Sequence, residues 1–433
     1  MVKTTLAAAR SFAGRYALSG VLGAGVAFAG CGGSSATPGA ADAAVGPEGG
    51  SEGSGGSSGG SGSGSSSGSG SSSGSGSSSG SGSSSGSGSS SGGSSGGDAG
   101  SASLPNGNPA GQCAIPAAAQ AADVSHPTTV VGTGTAASCT ADAVIAAVHA
   151  GGVVTFACGP APITIVVPEI DILNDGGLGD GSVTLDGGNL VTLSGGGANR
   201  ILYQNTCDQT LHYTTSHCQA QDAPHLVVQN IAFTAGMGDA DPTRSILGGG
   251  ALYVGGGTFR AFDIRVTAST QPTLGQDNAG GAIYTFNQTA PVYVVESTFS
   301  DDSGSNGGAL GSIGTSWTLL DSLFSGNTAV GMGENPARPG TPGGGLGGAV
   351  YNDGDSYTLT LCGTALSNNL ANELGSGAIF QVVDDLNGKL AIDQSTFVAN
   401  SNTGSVQSHP GIYVEAGDKQ GNAGVTITNT TFN

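Results

Sequence analysis

Past residue 150 the chain alternates short apolar runs with glycine-rich breaks. Val153-Val154-Thr155-Phe156, Ile163-Thr164-Ile165-Val166-Val167, Val183-Thr184-Leu185 and Leu190-Val191-Thr192-Leu193 are too short for helices. Bounded by Gly and rich in β-branched residues, they predict strands separated by tight turns. One stretch ahead of them has helical spacing. Thr140 is placed to N-cap, Asp142 falls in the first turn, Val144, Ile145 and Val148 make one apolar stripe, and Gly151-Gly152 ends it.

From residue 226 the pattern becomes a repeat. One half reads apolar-x-apolar, then a small or polar residue, then an aromatic, as in Val294-Val295-Glu296-Ser297-Thr298-Phe299 and Leu319-Leu320-Asp321-Ser322-Leu323-Phe324. The aromatic slot is filled in turn by Phe233, Val266, Phe299, Phe324, Leu366, Phe397 and Phe432. The other half is Gly-Gly-Ala with an apolar pair: Gly249-Gly250-Ala251-Leu252-Tyr253, Gly280-Gly281-Ala282-Ile283-Tyr284, Gly307-Gly308-Ala309-Leu310, Gly347-Gly348-Ala349-Val350-Tyr351 and, with Ser first, Ser376-Gly377-Ala378-Ile379-Phe380. Gly331 to Gly345 is an insertion within one unit. A period near thirty with short strands predicts a solenoid. The glycines and β-branched residues exclude a helical repeat, and a propeller blade needs about forty residues. The expected fold is therefore all-β: a parallel β-helix in which each slot stacks on itself and the aromatic slot forms one internal column. Asn327, Asn369 and Asn400, three residues past that slot, are suited to left-handed turns and to stacking on one another. The helix over 140–149 is expected to cover the N-terminal mouth.

The pairing of Gly-Gly-Ala-apolar with Phe-x-x-Asn resembles the polymorphic outer-membrane protein repeat. It is complete as Phe324-Ser325-Gly326-Asn327 and partial as Phe397-Val398-Ala399-Asn400, Leu366-Ser367-Asn368-Asn369 and Phe299-Ser300-Asp301-Asp302. More broadly, residues 139–433 resemble right-handed β-helix proteins of the pectin-lyase-like superfamily. The resemblance implies a right-handed coil with exposed lateral sheets, and membership in a group that includes lyases and glycosidases acting on acidic polysaccharides.

The N-terminal quarter has a different character. Lys3, Arg10 and Arg15 precede an apolar stretch ending in Phe28-Ala29-Gly30-Cys31, which resembles a bacterial lipobox with Phe in place of the usual Leu. Residues 1–30 are thus expected to be a lipoprotein signal peptide and Cys31 the lipidated residue. From Gly53 to Gly97 every residue is Gly or Ser. Such a segment has nothing to bury and is expected to be a disordered tether over 31–104, spanning roughly 35–40 Å. The β-helix domain follows over 105–433. An exported domain with six further cysteines is expected to hold disulfides. The proposed pairs are Cys207–Cys218 across a short polar loop, Cys139–Cys158 across the helix–strand unit and, by elimination, Cys113–Cys362.

Charge narrows the function. Ten Lys and Arg stand against thirty Asp and Glu, a net charge of −20, which excludes nucleic-acid binding. It would also repel a polyanionic substrate unless calcium bridged the two. Asp301-Asp302 suits a glycosidase pair, but the two sit in the turn slot that elsewhere holds Asn, and turn chemistry accounts for them better. The resemblance implies an Arg base for a lyase, for which Arg265 on a predicted strand is the candidate, although a solvated neighbour of Asp263 is the simpler reading. Calcium is the one ion suggested, at Asp353-x-Asp355 or Asp239-x-Asp241, although surface solubility also explains both pairs. No other cofactor is implied. Two function classes remain. One is a lipid-anchored surface module, adhesive or structural, that touches the membrane through its lipid alone and contacts polysaccharide or a surface protein. The other is a polysaccharide lyase or glycoside hydrolase. Three or more Asp, Glu, His, Arg or Lys side chains converging on one lateral face would favour the enzyme, and acids scattered on turns would favour the module.

Overall fold

The computed structural model describes residues 106–174, 181–239, 244, 248–373, 376–383, 387–403, 411–416 and 424–433. The expected signal peptide, Cys31, the tether and Asp241 lie outside these. The strands fall into four sheets, and every strand pair within them is parallel. The first sheet has ten strands, from Thr129–Val131 and Gly152–Phe156 through to Gly424–Thr428. The second has nine, from Ile163–Val166 to Thr431–Phe432, and the third has eight, from Ile170–Asp171 to Ile412–Ala416. A short fourth sheet joins only the later coils, from Ser303–Gly304 to Ser401–Asn402. The chain visits the first, second and third sheets in that order and returns one coil further on. This is a right-handed parallel β-helix, the hand that parallel crossovers adopt almost without exception.

Register follows the repeat. Phe233, Val266, Phe299, Phe324, Leu366, Phe397 and Phe432 are successive partners in the second sheet. The first five are fully enclosed, and the Phe299 and Phe324 rings stack at 4.9 Å. Each buried side chain of this size contributes about 1.5–3 kcal/mol. The corner between the first and second sheets is a column of left-handed residues, with Asn230, Asp263, Glu296, Asp321, Gln394 and Asn429 at φ 47–51°. The next corner is a second such column: Ala235, Ala268, Asp301, Gly326, Asn368 and Ala399, at φ 49–70°. The left-handed turn therefore falls one residue before Asn327, Asn369 and Asn400. Those asparagines stack on one another and bond the backbone of the preceding coil instead.

Gly-Gly-Ala divides its labour. The first glycine takes the positive φ, as Gly280 does at 71°. The second approaches the next coil's backbone, so that a methyl on Gly308 would lie 2.3 Å from the Gly348 carbonyl oxygen. Ala251, Ala282, Ala309, Ala349 and Ala378 are fully buried behind them.

The helix Ala141–Ala150 closes the first coil. Thr140 accepts from the Ala143 amide, and Val144, Ala147 and Val148 are buried in the solenoid core, with Ile145 packed against it. Among the described residues no helix is long and apolar enough to cross a membrane. Residues 106–122 form a strap along the outside of the first sheet. Asn108 donates its amide to Asp321 O and its Nδ2 to Gly363 O, and Ala119 packs on Val295 and Leu320. Cys113 is bonded to Cys362, and Cys139–Cys158 and Cys207–Cys218 complete the pairs expected from the sequence.

Candidate functional site

The candidates read from sequence do not meet. Asp301 sits in the left-handed corner at φ 58°, while Asp302 points inward and is only 1% exposed. Arg265 starts the strand Arg265–Thr267 on the outer face of the second sheet and donates to Asn106 Oδ1 at 2.9 Å. Asp353 accepts from the Tyr351 hydroxyl at 2.6 Å, and Asp355 is exposed. Asp239 accepts from Gln271 Nε2. Among the described residues no three His, Cys, Asp or Glu side chains are grouped to hold a metal ion.

The convergence lies instead on the outer face of the third sheet. Strand alternation puts Leu202, Leu252 and Ile283 inside, and so turns Asp171, Tyr203, Tyr253 and Tyr284 outward in one in-register column. Tyr203 stacks on Tyr253 at 5.4 Å and Tyr253 on Tyr284 at 5.7 Å. Past Gly311 the column resumes as Tyr351, Phe380 and Tyr413. At its start, Arg244 lies over the Tyr203 ring, 4.0 Å from its centroid. Arg244 Nη1 touches Glu169 at 2.7 Å and Asp171 at 2.8 Å, and its Nη2 donates to Asp171 at 3.1 Å. Arg200, 1% exposed, pairs with the other Glu169 oxygen at 2.7 Å and spends Nε and Nη2 on the carbonyls of Gly249 and Gly248. Asp208 accepts from the Tyr203 hydroxyl at 3.0 Å.

Burial sets the electrostatics of this cluster. It raises Glu169 above the usual carboxylate range even against the pull of Arg200 and Arg244, and it lowers Arg200 despite Glu169. Burial pushes the Tyr253 hydroxyl up to about 12. At Asp208 burial is outweighed by the hydroxyl and amide of Thr210, and the carboxyl ends below its ordinary value. Arg200 thus fastens the Gly248–Gly249 backbone down, and Arg244 bridges Glu169 and Asp171, with Asp208 3.9 Å from its Nε. Each carboxylate and guanidinium is engaged by another member of the cluster.

Two residues further along each strand a second outer column runs beside the tyrosines. Asn205, Gly255, Phe286, Ile313 and Asp353 are partners in register, and Val382 pairs with Glu415 beyond them. Phe286, Ile313 and Val382 are half-buried and pack against the tyrosine cluster. Sequence reasoning missed both columns. Tyr253, Tyr284 and Tyr351 were visible in the Gly-Gly-Ala motif, and an aromatic at a fixed offset is the signal that finds them. Glu169 and Asp171 lie on one turn, but Arg200 and Arg244 arrive from two others at no repeating spacing. A scan against protein-family models found no match to this chain, and searches of curated proteins and of solved structures found none either.

Proposed function

We propose that this chain is a surface-displayed binding module, lipidated at Cys31 and held off an outer membrane or cell surface by its Gly/Ser tether, with the outer face of the third sheet as its contact for glycans. The observation that carries this reading is the adjacent half-exposed pair Phe286 and Ile313, with Asp353 next to Ile313 and Val382 one strand beyond it, and Asn205 two strands before Phe286. Apolar side chains of this kind cover the C–H faces of a sugar, and the flanking amide and carboxylate bond its hydroxyls. The Gly-Gly-Ala and Phe-x-x-Asn repeats support kinship with polymorphic outer-membrane and pectin-lyase-like β-helices. The acidity of the chain favours neutral glycans.

A second reading, hydrolase or lyase, is favoured by one observation: Glu169 and Asp171 converge on a single nitrogen of Arg244. The mutual pairing of those charges leaves no free base or acid, and this places binding first. The test is a polysaccharide panel read for both retention and release of unsaturated or reducing ends, with and without calcium. Retention without product, weakened about tenfold or more by Phe286→Ala with Ile313→Ala, is the expected result. Product formation abolished by Glu169→Gln would replace this reading with the enzyme.

A further inference from the structure

Inside the second corner runs a ladder of polar side chains, one from each coil. Asn327 donates its amide and its Nδ2 to Asn369 Oδ1 at 3.0 and 2.9 Å, and Asn369 does the same to Asn400 Oδ1 at 3.1 and 2.8 Å. Each Nδ2 also reaches back to a carbonyl of the preceding coil: Asn327 to Phe299 O, Asn369 to Phe324 O, and Asn400 to Leu366 O, at 2.9–3.1 Å. Every rung thus has one accepting oxygen and one donating nitrogen.

Asp302 occupies the same slot. Its Oδ1 accepts from the Ser269 amide at 2.8 Å and its own amide donates to Asn327 Oδ1 at 3.1 Å, as an asparagine's would. Its Oδ2 stands where the other rungs carry the donating nitrogen. By the register of the column, the groups that face that position are Val266 O and Asn327 Oδ1, both acceptors. Oδ2 is buried and accepts no hydrogen bond. An ionised carboxylate there would set a charge against two lone pairs in an enclosed site, at a cost no partner offsets.

We propose that Asp302 is carried protonated in the folded protein, that its proton is the missing donor of this rung, and that losing it as pH rises loosens the coil holding Ser269 and the nearby Gln271–Asp239 contact. The stacked neighbours, Ala268, Ser269 and Thr270 on one side and Gly326, Asn327 and Thr328 on the other, carry no charge. Among the described residues Asp301, on the same turn, is the charged neighbour that acts on it, and it opposes ionisation. Burial raises Asp302 well above its ordinary 3.8, with the Ser269 amide acting the other way. Because the folded value lies above the unfolded one, the folded state holds the proton longer. The stabilisation is complete below about pH 4 and declines as pH rises towards the folded value.

The test compares full-length wild type with Asp302→Asn by denaturant unfolding from pH 4 to pH 8. Amide exchange at Ser269 and carbon-13 detection of labelled Asp carboxyls accompany it. Relative to the variant, wild type is expected to lose about tenfold in folding equilibrium per pH unit above about pH 4, to show a protonated carboxyl at pH 6 that the variant lacks, and to exchange Ser269 faster as pH rises beyond the intrinsic trend. If the variant does not fold, Asp302→Ser, which copies the hydroxyl of Ser269, serves as the reference. Parallel pH profiles, or an ionised Asp302 carboxyl at pH 6, would overturn the proposal.

Discussion

A single methyl decides whether two coils can meet at the Gly-Gly-Ala corner. A Cβ on Gly308 would lie 2.3 Å from both the Gly348 carbonyl oxygen and the Thr328 nitrogen, and both of those are backbone atoms that cannot turn aside. On Gly424 the nearest atom is the Lys389 Cγ at 3.3 Å, on a side chain that can move. Gly308→Ala is therefore expected to cost about 3 kcal/mol or more, as overpacking in a closed core does. Gly424→Ala should be close to neutral. Urea midpoints of the two variants check this, and equal midpoints would show that the corner gives way. The same scale explains the left-handed columns. Glu296 and Gln394 tolerate φ of 49° and 48° because each peptide is bonded to the coils on either side, which outweighs the local strain.

Among the elements, the aromatic column of the second sheet is a continuous buried contribution to the core. Phe324 sits in its middle between Phe299 and Leu366, with no exposed surface. Phe324→Ala is expected to lose about 3–5 kcal/mol, measured as a fall in ΔG of unfolding with an unchanged denaturant slope. A loss below about 1 kcal/mol would mean the coils close over the gap. This column was legible in the sequence because the same side chain must recur wherever one coil lies on the next, and period and chemistry then coincide. The asparagine rungs were legible for the same reason, although their left-handed turn belongs to the residue before. The outer cluster was not. Glu169 and Asp171 share one coil while Arg200 and Arg244 come from the next two, each used once, so no periodicity marks them. Only the strand register, the Arg200 bonds to Gly248 and Gly249, and the placement of Arg244 over the Tyr203 ring bring them together. Repeats reveal what a solenoid does in every coil and conceal what it does in one.

At the scale of the whole molecule, a solenoid is held mainly by contacts between adjacent turns. The strap departs from that rule. Residues 106–122 cross the outer edges of several coils, touching Gly363 and Asp321 at one end and Gln229 at the other. Replacing Cys113 and Cys362 by Ser is expected to lower stability by about 2–5 kcal/mol and to broaden the unfolding transition. Calorimetry compares the two enthalpies that coincide for a two-state unit. A sharp, unshifted transition in the double variant would show that the strap is held without its sulfurs.

That one bond has a further effect. A spiral stair with every step resting on the next can shed steps singly from the top. Stitch the first flight to a landing far below, and none in between can fall alone. Cys113–Cys362 makes such a stitch, so the coils between its two ends are held against fraying one at a time under proteases or strain.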